Sequence, residues 1–279
     1  MLQYDENSTR KNPQTMQKPH LEFVTDTARH AGQILREMHR QHIEVKHKSV
    51  ADLVTAADKA AEEYIISTIL DKFPDHSIIA EESGSHKADP DHQWYIDPLD
   101  GTLNFAHGMS FFSVSIGYAY KGVLELGAVY DPLLDEMFYA QRGKSAFLNG
   151  HHLQVSKTDE LINSLLVTGF RFSLKDTKDS NFDNFVRFSH LTQGVRRLGS
   201  AALDLCYVAA GRLDGFWEVM INTWDIAAGA LIVLEAGGVM TKMYGEADFM
   251  ADPVSILASN PLLHPKLLQV LEEERAKQG

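Results

Sequence analysis

The chain has 279 residues, 44% of them hydrophobic and 23% charged, which places it among globular proteins able to bury a sizeable core and outside the disordered and collagen-like classes. Acidic side chains outnumber basic ones by 38 to 26, and the net charge of -12 argues against nucleic acid or an anionic membrane as partner, since both are bound through clustered Lys and Arg. The single cysteine, Cys206, excludes an intrachain disulfide and a Cys-based zinc site; within the apolar run from Ala201 to Tyr207 it reads as a buried thiol of a protein kept in the reducing cytoplasm.

Residues 1–19 are polar and mixed in charge, without a signal-peptide core, and read as a flexible N-terminal tail. No apolar run approaches the roughly 20 residues that cross a bilayer. From His20 to about His42, Leu21, Val24, Ala28, Ala31, Ile34, Leu35 and Met38 recur at helical spacing, which predicts an amphipathic helix. A second helix is predicted from Ala57 to Phe73, closed by Pro74.

β-like runs follow at His76–Ala80, Trp94–Ile96, Phe111–Tyr120, Leu124–Tyr130 and Glu136–Gln141, and their short connections predict an antiparallel sheet. Asn149-Gly150 supplies a turn and Leu165–Thr168 another strand. The second half carries helical periodicity over Asn181–Gln193, Ser200–Ala210 and Asp225–Ala236, with a strand near Phe216–Val219 and a glycine stop at Gly237-Gly238. The expected class is mixed α/β (α+β): a lobe over residues 20–150 and a second over 151–279, packed as one unit.

The segment Trp94-Tyr95-Ile96-Asp97-Pro98-Leu99-Asp100-Gly101-Thr102 carries the most chemistry. An apolar strand runs into two carboxylates separated by a proline that fixes the turn, so Asp97 and Asp100 can point at one spot. Two close carboxylates repel, and a divalent cation with oxygen ligands resolves the conflict; the Leu99 carbonyl between them can add a neutral ligand. Gly101 and Thr102 would open a short helix whose free N–H groups suit a phosphate. Taken alone, Asp-Pro-x-Asp-Gly is a turn with capping aspartates.

Three further acidic positions give it weight. Glu81-Glu82 follows the strand Ser77–Ala80, and alternation along it would send the two carboxylates to opposite sides, one of them toward Asp97. Asp225, after Trp224, reads as an N-cap of the small-residue helix Ile226–Ala230 and as the far wall of a metal site. Asp58 caps the second helix or accepts a hydrogen bond from a catalytic hydroxyl. The 13 histidines form no recognisable ligand set, and a hard cation prefers oxygen.

Together these segments resemble the inositol monophosphatase family, within the superfamily that includes the fructose-1,6-bisphosphatases. The match rests on Trp94-x-Ile96-Asp97-Pro98-Leu99-Asp100-Gly101-Thr102-x-Asn104-Phe105 and on Trp224-Asp225-x-Ala227-Ala228-Gly229 through Glu235-Ala236-Gly237-Gly238. Asp52-Leu53-Val54-Thr55-x-x-Asp58, Glu81-Glu82-Ser83 and Gly199-Ser200-Ala201-Ala202 support it, and the likeness spans roughly residues 20–265.

The resemblance implies an αβαβα layered sandwich, a lithium-sensitive homodimer, and hydrolysis by a metal-activated water with two or three Mg²⁺ ions per site. It assigns Glu81, Asp97 and the Leu99 carbonyl to one metal and Asp97, Asp100 and Asp225 to a second. Glu81 would share a third ion through water. Thr102, hydrogen-bonded to Asp58, would help activate the water, Gly101 and Thr102 would bind phosphate, and Gly199, Ser200, Ala201, Glu218, Asp100 and Asp225 would bind the substrate.

A pocket lysine aligns best with Lys48, with His47 or Lys46 as substitutes, and Thr168-Gly169-Phe170-Arg171-Phe172 resembles bacterial members at a loop where animal relatives carry serine. The implied substrate is a myo-inositol monophosphate. Alternatives are another small phosphate ester (fructose-1,6-bisphosphate, histidinol phosphate, NADP or 3′-phosphoadenosine 5′-phosphate), for which Arg196-Arg197 would be a second basic cluster, or a regulatory protein-binding role with incidental catalysis.

Overall fold

The computed structural model describes residues 18–39, 45–47, 53–170 and 181–278. The tail through residue 17, Lys48 and Arg171-Phe172 lie outside the described residues, as do the side chains of Lys46 and His47. None of the described helices is long and apolar enough to cross a membrane.

The chain opens with α1 (Leu21–His39), the paired strands β1 (Val45–His47) and β2 (Leu53–Thr55), and α2 (Ala56–Lys72). Next come β3 (His76–Ala80), β4 (Gly84–His86), β5 (Asp89–Asp100) and the short α3 (Thr102–Ala106). A meander follows: β6 (Ser113–Tyr120), β7 (Val123–Asp131), β8 (Glu136–Gln141), β9 (Ala146–Leu148) and β10 (His151–His152). Asn149 and Gly150, with φ of 49° and 85°, make the tight turn between β9 and β10 that their sequence predicts.

The second half contains β11 (Leu165–Thr168), α4 (Phe182–Leu191), β12 (Gly194–Arg196), α5 (Ala201–Ala209), β13 (Gly215–Val219) and α6 (Thr223–Glu235). Past Gly238, beyond the last predicted element, β14 (Val239–Thr241), β15 (Ser255–Ser259) and α7 (His264–Gln278) complete the fold.

The larger sheet has the order β10-β9-β8-β7-β6-β5-β3-β4. It is not purely antiparallel as expected, because β4 turns back on β3 at the edge and returns the chain so that β5 runs parallel to β3. The smaller sheet, β12-β11-β13-β15-β14, is mixed as well. Helices α4 and α5 carry the chain back over it, so β11, β12 and β13 run parallel, while β15 pairs antiparallel with both neighbours.

Five layers result. α1 and α2 bury Val24, Ala28, Leu35, Ala61 and Ile65 against Trp94, Ile96 and Val114 of the larger sheet. Between the sheets, Leu205 of α5 and Ile226 and Leu231 of α6 share a core with Val129 and Phe138 on one side and Val167, Phe216 and Ile256 on the other. Phe188 of α4 and Leu267 and Leu271 of α7 close the outer face against Trp217 and Leu257. Alternation along β13 sends Phe216 to the central core and Trp217 to the outer one.

The small residues of α6 have a geometric cause. A Cβ on Gly117 of β6 would stand 2.9 Å from the Ala227 side chain, and one on Gly127 of β7 would stand 2.8 Å from the Ala228 carbonyl oxygen. Gly229 lies similarly close to Leu205 of α5. The helix therefore sits down on the sheet and carries Asp225, in its first turn, to the end of β5.

Candidate active site

Asp97 and Asp100 lie three residues apart on a strand, a spacing that ordinarily sends side chains to opposite faces. Here Asp97 pairs with Ser115 but Asp100 with Ser113, so one extra residue is accommodated between them. That bulge rotates the strand and turns both carboxylates into one cavity of about 190 Å³. Asp97 Oδ1 accepts the N–H of Leu99 at 3.0 Å, which fixes the intervening loop.

The same cavity is lined by Glu81, Leu99, Gly101, Thr102, Gly199, Ser200, Ala201, Glu218 and Asp225, residues spread over more than half the chain. Glu81 follows β3 and its N–H donates to the Ile96 carbonyl at 3.2 Å, beside Asp97. Gly101, at φ 96°, allows the chain to turn under Phe111 and start α3. Gly199, at φ 93°, turns the chain into α5, and Asn104 holds the preceding residue by donating to the Leu198 carbonyl at 2.8 Å.

The start of α5 grips Asp100: Ser200 Oγ donates to it at 2.6 Å, and the N–H groups of Ala202 and Ala201 at 2.7 and 3.2 Å. These are orphan helix donors, which favour a carboxylate. At the start of α6 the expected cap is corrected. Asn222 is the N-cap, and Asp225 is the third helical residue, its carboxylate accepting the Asn222 N–H at 3.0 Å in a capping box.

Two other expectations change. Residues 81–83 form a turn and do not extend β3, so Glu81 and Glu82 do not diverge; oxygens of both lie with one of Asp58 within 4.8 Å of one another. Asp58, buried in the first turn of α2, stands in this group and outside the lining of the cavity. Thr102 donates its hydroxyl hydrogen to the Leu99 carbonyl at 3.0 Å, not to Asp58.

The electrostatics of the cavity are those of carboxylates crowded below the surface. Desolvation and the charges of Asp225, Glu82 and Asp100 push Glu81 up to about 8. Asp97 rises well above the usual carboxylate range through burial and the charges of Glu81, Asp100 and Asp225. Asp225 is pushed to about 7 by desolvation and Asp100, and Asp100 itself to about 6 by burial, partly offset by its bonds from Ser200, Ala202 and Ala201. Among the described lining residues the sole cation is Arg197. Oxygen donors with so little compensating positive charge fit a hard divalent cation.

A scan against family models matches residues 16–276 to the inositol monophosphatase family. The chain belongs to this family. It is 45% identical over 253 residues to an inositol-1-monophosphatase of Synechocystis, covering 90% of this chain and 88% of that one. It is 42% identical over 259 residues to the Nus factor SuhB of Escherichia coli, covering 92% and 97%. Among solved structures, the inositol monophosphatase of Anabaena superposes with a TM-score of 0.83 at 44% identity, covering 91% of this chain and 95% of that one. The family is one of metal-dependent phosphatases that act on small phosphate esters, and the acidic cavity is in keeping with it.

Several residues around the site carry no motif. Asn181, at φ 67°, donates to Thr168 Oγ1 at 2.8 Å and to the Gly169 carbonyl at 2.9 Å, and accepts from Trp217 Nε1 at 2.6 Å. This buried knot sets Gly169 against the Glu218 carboxylate, which would have to move aside for a Cβ at that position. Arg197 and Asp204 also line the cavity. Asp204 could have been found as the one charge in the otherwise apolar stretch of α5, one turn after Ser200. Cys206, next to it, is buried as expected, and burial pushes its thiol far above the reactive range.

Proposed function

We propose that this protein is a Mg²⁺-dependent phosphomonoesterase that hydrolyses myo-inositol monophosphates to inositol and phosphate. The observation that carries the reading is the convergence of Glu81, Asp97, Asp100 and Asp225, from three separate parts of the chain, on one cavity that also holds the start of α3 and the Gly199–Ala201 turn.

Glu81, Asp97, Asp100, Asp225 and the Leu99 carbonyl would hold two or three Mg²⁺ ions. When bound, these supply charge neutralisation at the phosphoryl oxygens and an acidified water. The rest falls to the chain. Backbone N–H groups at Gly101 and Thr102 bind phosphate oxygens. The Thr102 hydroxyl, tied to the Leu99 carbonyl, keeps that ligand loop and the phosphate site in register. Glu81, with Asp58 beside it, would take the proton released as water attacks phosphorus. Gly199, Ser200, Ala201 and Glu218 receive the alcohol portion.

A bisphosphate would need a second cationic cluster. Arg197 faces the cavity, but Arg196 is absent from its lining and turns its guanidinium to the Val195 carbonyl. One arginine among six carboxylates favours an uncharged polyol over a second phosphate. Phosphate release from a panel of inositol, sugar, histidinol and nucleotide phosphates, with Mg²⁺ and with EDTA, tests the reading. Preference for inositol esters that EDTA abolishes supports it; turnover that survives chelation overturns it.

A regulatory role is the second reading, favoured by the relatives that carry the name Nus factor SuhB. Asp97→Asn separates the two: hydrolysis would vanish while metal-independent docking to a protein partner would persist. We further propose, on the family resemblance, a cytoplasmic, lithium-sensitive homodimer; light scattering tests the dimer and inhibition by LiCl the lithium sensitivity.

A further inference from the structure

Asp204 stands out among the groups that the mechanism above leaves unused. It is 2% exposed, lines the cavity, and its Oδ1 has no hydrogen-bond partner among the described residues. A buried carboxyl without a full set of partners costs free energy whether it is charged or neutral, so its retention calls for a partner supplied from elsewhere. The cavity is an opening that it borders.

Its position tells which part of a ligand it meets. Asp204 lies four residues after Ser200, so both project from the same side of the α5 start. It lines the cavity together with Asp100, Glu218 and Arg197, and the charges of these three bear on it. Asp204 therefore stands with Ser200 at the α5 start, the part of the lining that the proposed function gives to the alcohol.

With Asp204, Glu218 and Asp100 in the lining and Arg197 as its sole described cation, this part of the cavity welcomes hydroxyl donors over a further anion. A hydroxyl can donate to a carboxylate or accept from a neutral carboxyl, so a polyol satisfies Asp204 in either protonation state. A plain alkyl or aryl alcohol leaves it unpaired, and a site built around a hydrogen bond discriminates strongly against ligands that lack it.

We propose that Asp204 is a specificity-determining residue that hydrogen-bonds a hydroxyl group of an uncharged polyol, beside Glu218, and so selects hydroxyl-rich phosphate monoesters. This rests on the phosphomonoesterase reading and names the chemical class of its alcohol.

The test compares kcat and KM of the wild-type protein, Asp204→Ala and Asp204→Asn on two esters with saturating Mg²⁺: myo-inositol 1-phosphate, rich in hydroxyls, and 4-nitrophenyl phosphate, which has none. For Asp204→Ala, KM for the inositol ester rises at least about tenfold more than KM for the aryl ester, the cost of one buried hydrogen bond. Asp204→Asn, which keeps size and polarity, falls between and covers the case in which the alanine variant does not fold. Equal losses on both esters, or no change on either, overturn the proposal. Wild-type turnover of the aryl ester without preference for the inositol ester overturns it and leaves the phosphatase reading standing, whereas no turnover of either overturns that reading too.

Discussion

Glu62 reaches from α2 to the backbone of Ser83, whose N–H it accepts at 2.8 Å, while its second oxygen takes the N–H of Glu82 at 2.9 Å. Glu62 is buried and sits one turn after Asp58. One helix thus presents Asp58 beside Glu81 and, with the next turn, clamps the loop in which Glu81 stands. Residues 81–83 lie past the end of β3, so the Glu81 N–H bond to Ile96 and this bidentate grip on the next two residues together orient the Glu81 carboxylate.

Glu62→Ala is expected to raise the Mg²⁺ concentration for half-maximal activity by about tenfold, since a charge-assisted hydrogen bond contributes roughly 1.5–3 kcal/mol and part of it is recovered by water. Saturating Mg²⁺ restores most of kcat. Glu62→Gln, which keeps one acceptor, falls between. A Mg²⁺ titration followed by thermal shift gives the same order without relying on turnover; unchanged Mg²⁺ dependence in both variants would refute the positioning role.

Without a divalent cation the protein should lose stability as pH rises. Asp100, Asp225 and Glu81 have ordinary values of 3.8, 3.8 and 4.5 and are pushed to about 6, 7 and 8 in the folded chain. Between those limits the folded state binds more protons than the unfolded one, so their contribution is fully present below pH 4 and is lost as pH passes through 6 to 8. In EDTA the melting temperature should be lower at pH 8.5 than at pH 6. Mg²⁺ at a hundred times its dissociation constant adds about 2.7 kcal/mol, or roughly 5–10 °C, with most effect at high pH. A flat profile in EDTA would show that the carboxylates are not in conflict.

Much of the site is legible in the sequence because its ligands sit where regular elements end, and such ends carry short signatures of proline, glycine and small residues. Asp97-Pro98-Leu99-Asp100 is one; the run Ala227-Ala228-Gly229 is another. What the signatures do not carry is register. The one-residue bulge that turns Asp97 and Asp100 to the same side depends on pairing with Ser113 and Ser115. The convergence of Glu81 and Glu82 depends on a turn held from α2, 20 residues earlier. The Asn181–Thr168–Trp217 knot is a set of contacts between residues up to 49 apart, with no local pattern to mark it. The short strands β14 and β15 escaped for a different reason: with three and five residues they take their structure from the sheet they complete.

Gly127→Ala is expected to destabilise the fold by about 1–3 kcal/mol. Its added methyl would meet the backbone of Ala228, which cannot swing aside as a side chain would. Relief requires α6 to rise from the sheet, and Asp225 rises with it. The melting temperature should fall by roughly 2–4 °C per kcal/mol, and Mg²⁺ affinity should fall as well. A loss of stability with Mg²⁺ affinity intact would show that the helix start is held independently, by the Asn222 capping box.

His76 should govern the acid side of the stability profile. Its ring is buried, stacked 4.1 Å from His92 and 4.8 Å from Phe73, and its Nδ1 accepts the Trp94 indole N–H at 3.0 Å. The bond requires that nitrogen to be unprotonated. Burial, and secondarily the charge of His92, lower the pKa from 6.5 to about 4, against a smaller opposing pull from Asp89 and Asp75. The unfolded chain therefore binds the extra proton first, and the stability contributed by neutral His76 is present above pH 6.5 and lost as pH falls toward 4. His76→Phe should lower the melting temperature at pH 7, because the Trp94 donor is left without its acceptor, yet lose less between pH 6.5 and 4 than the wild type does. Taking the difference between the two proteins cancels the carboxylates of the active site, and parallel profiles would rule His76 out as the titrating group.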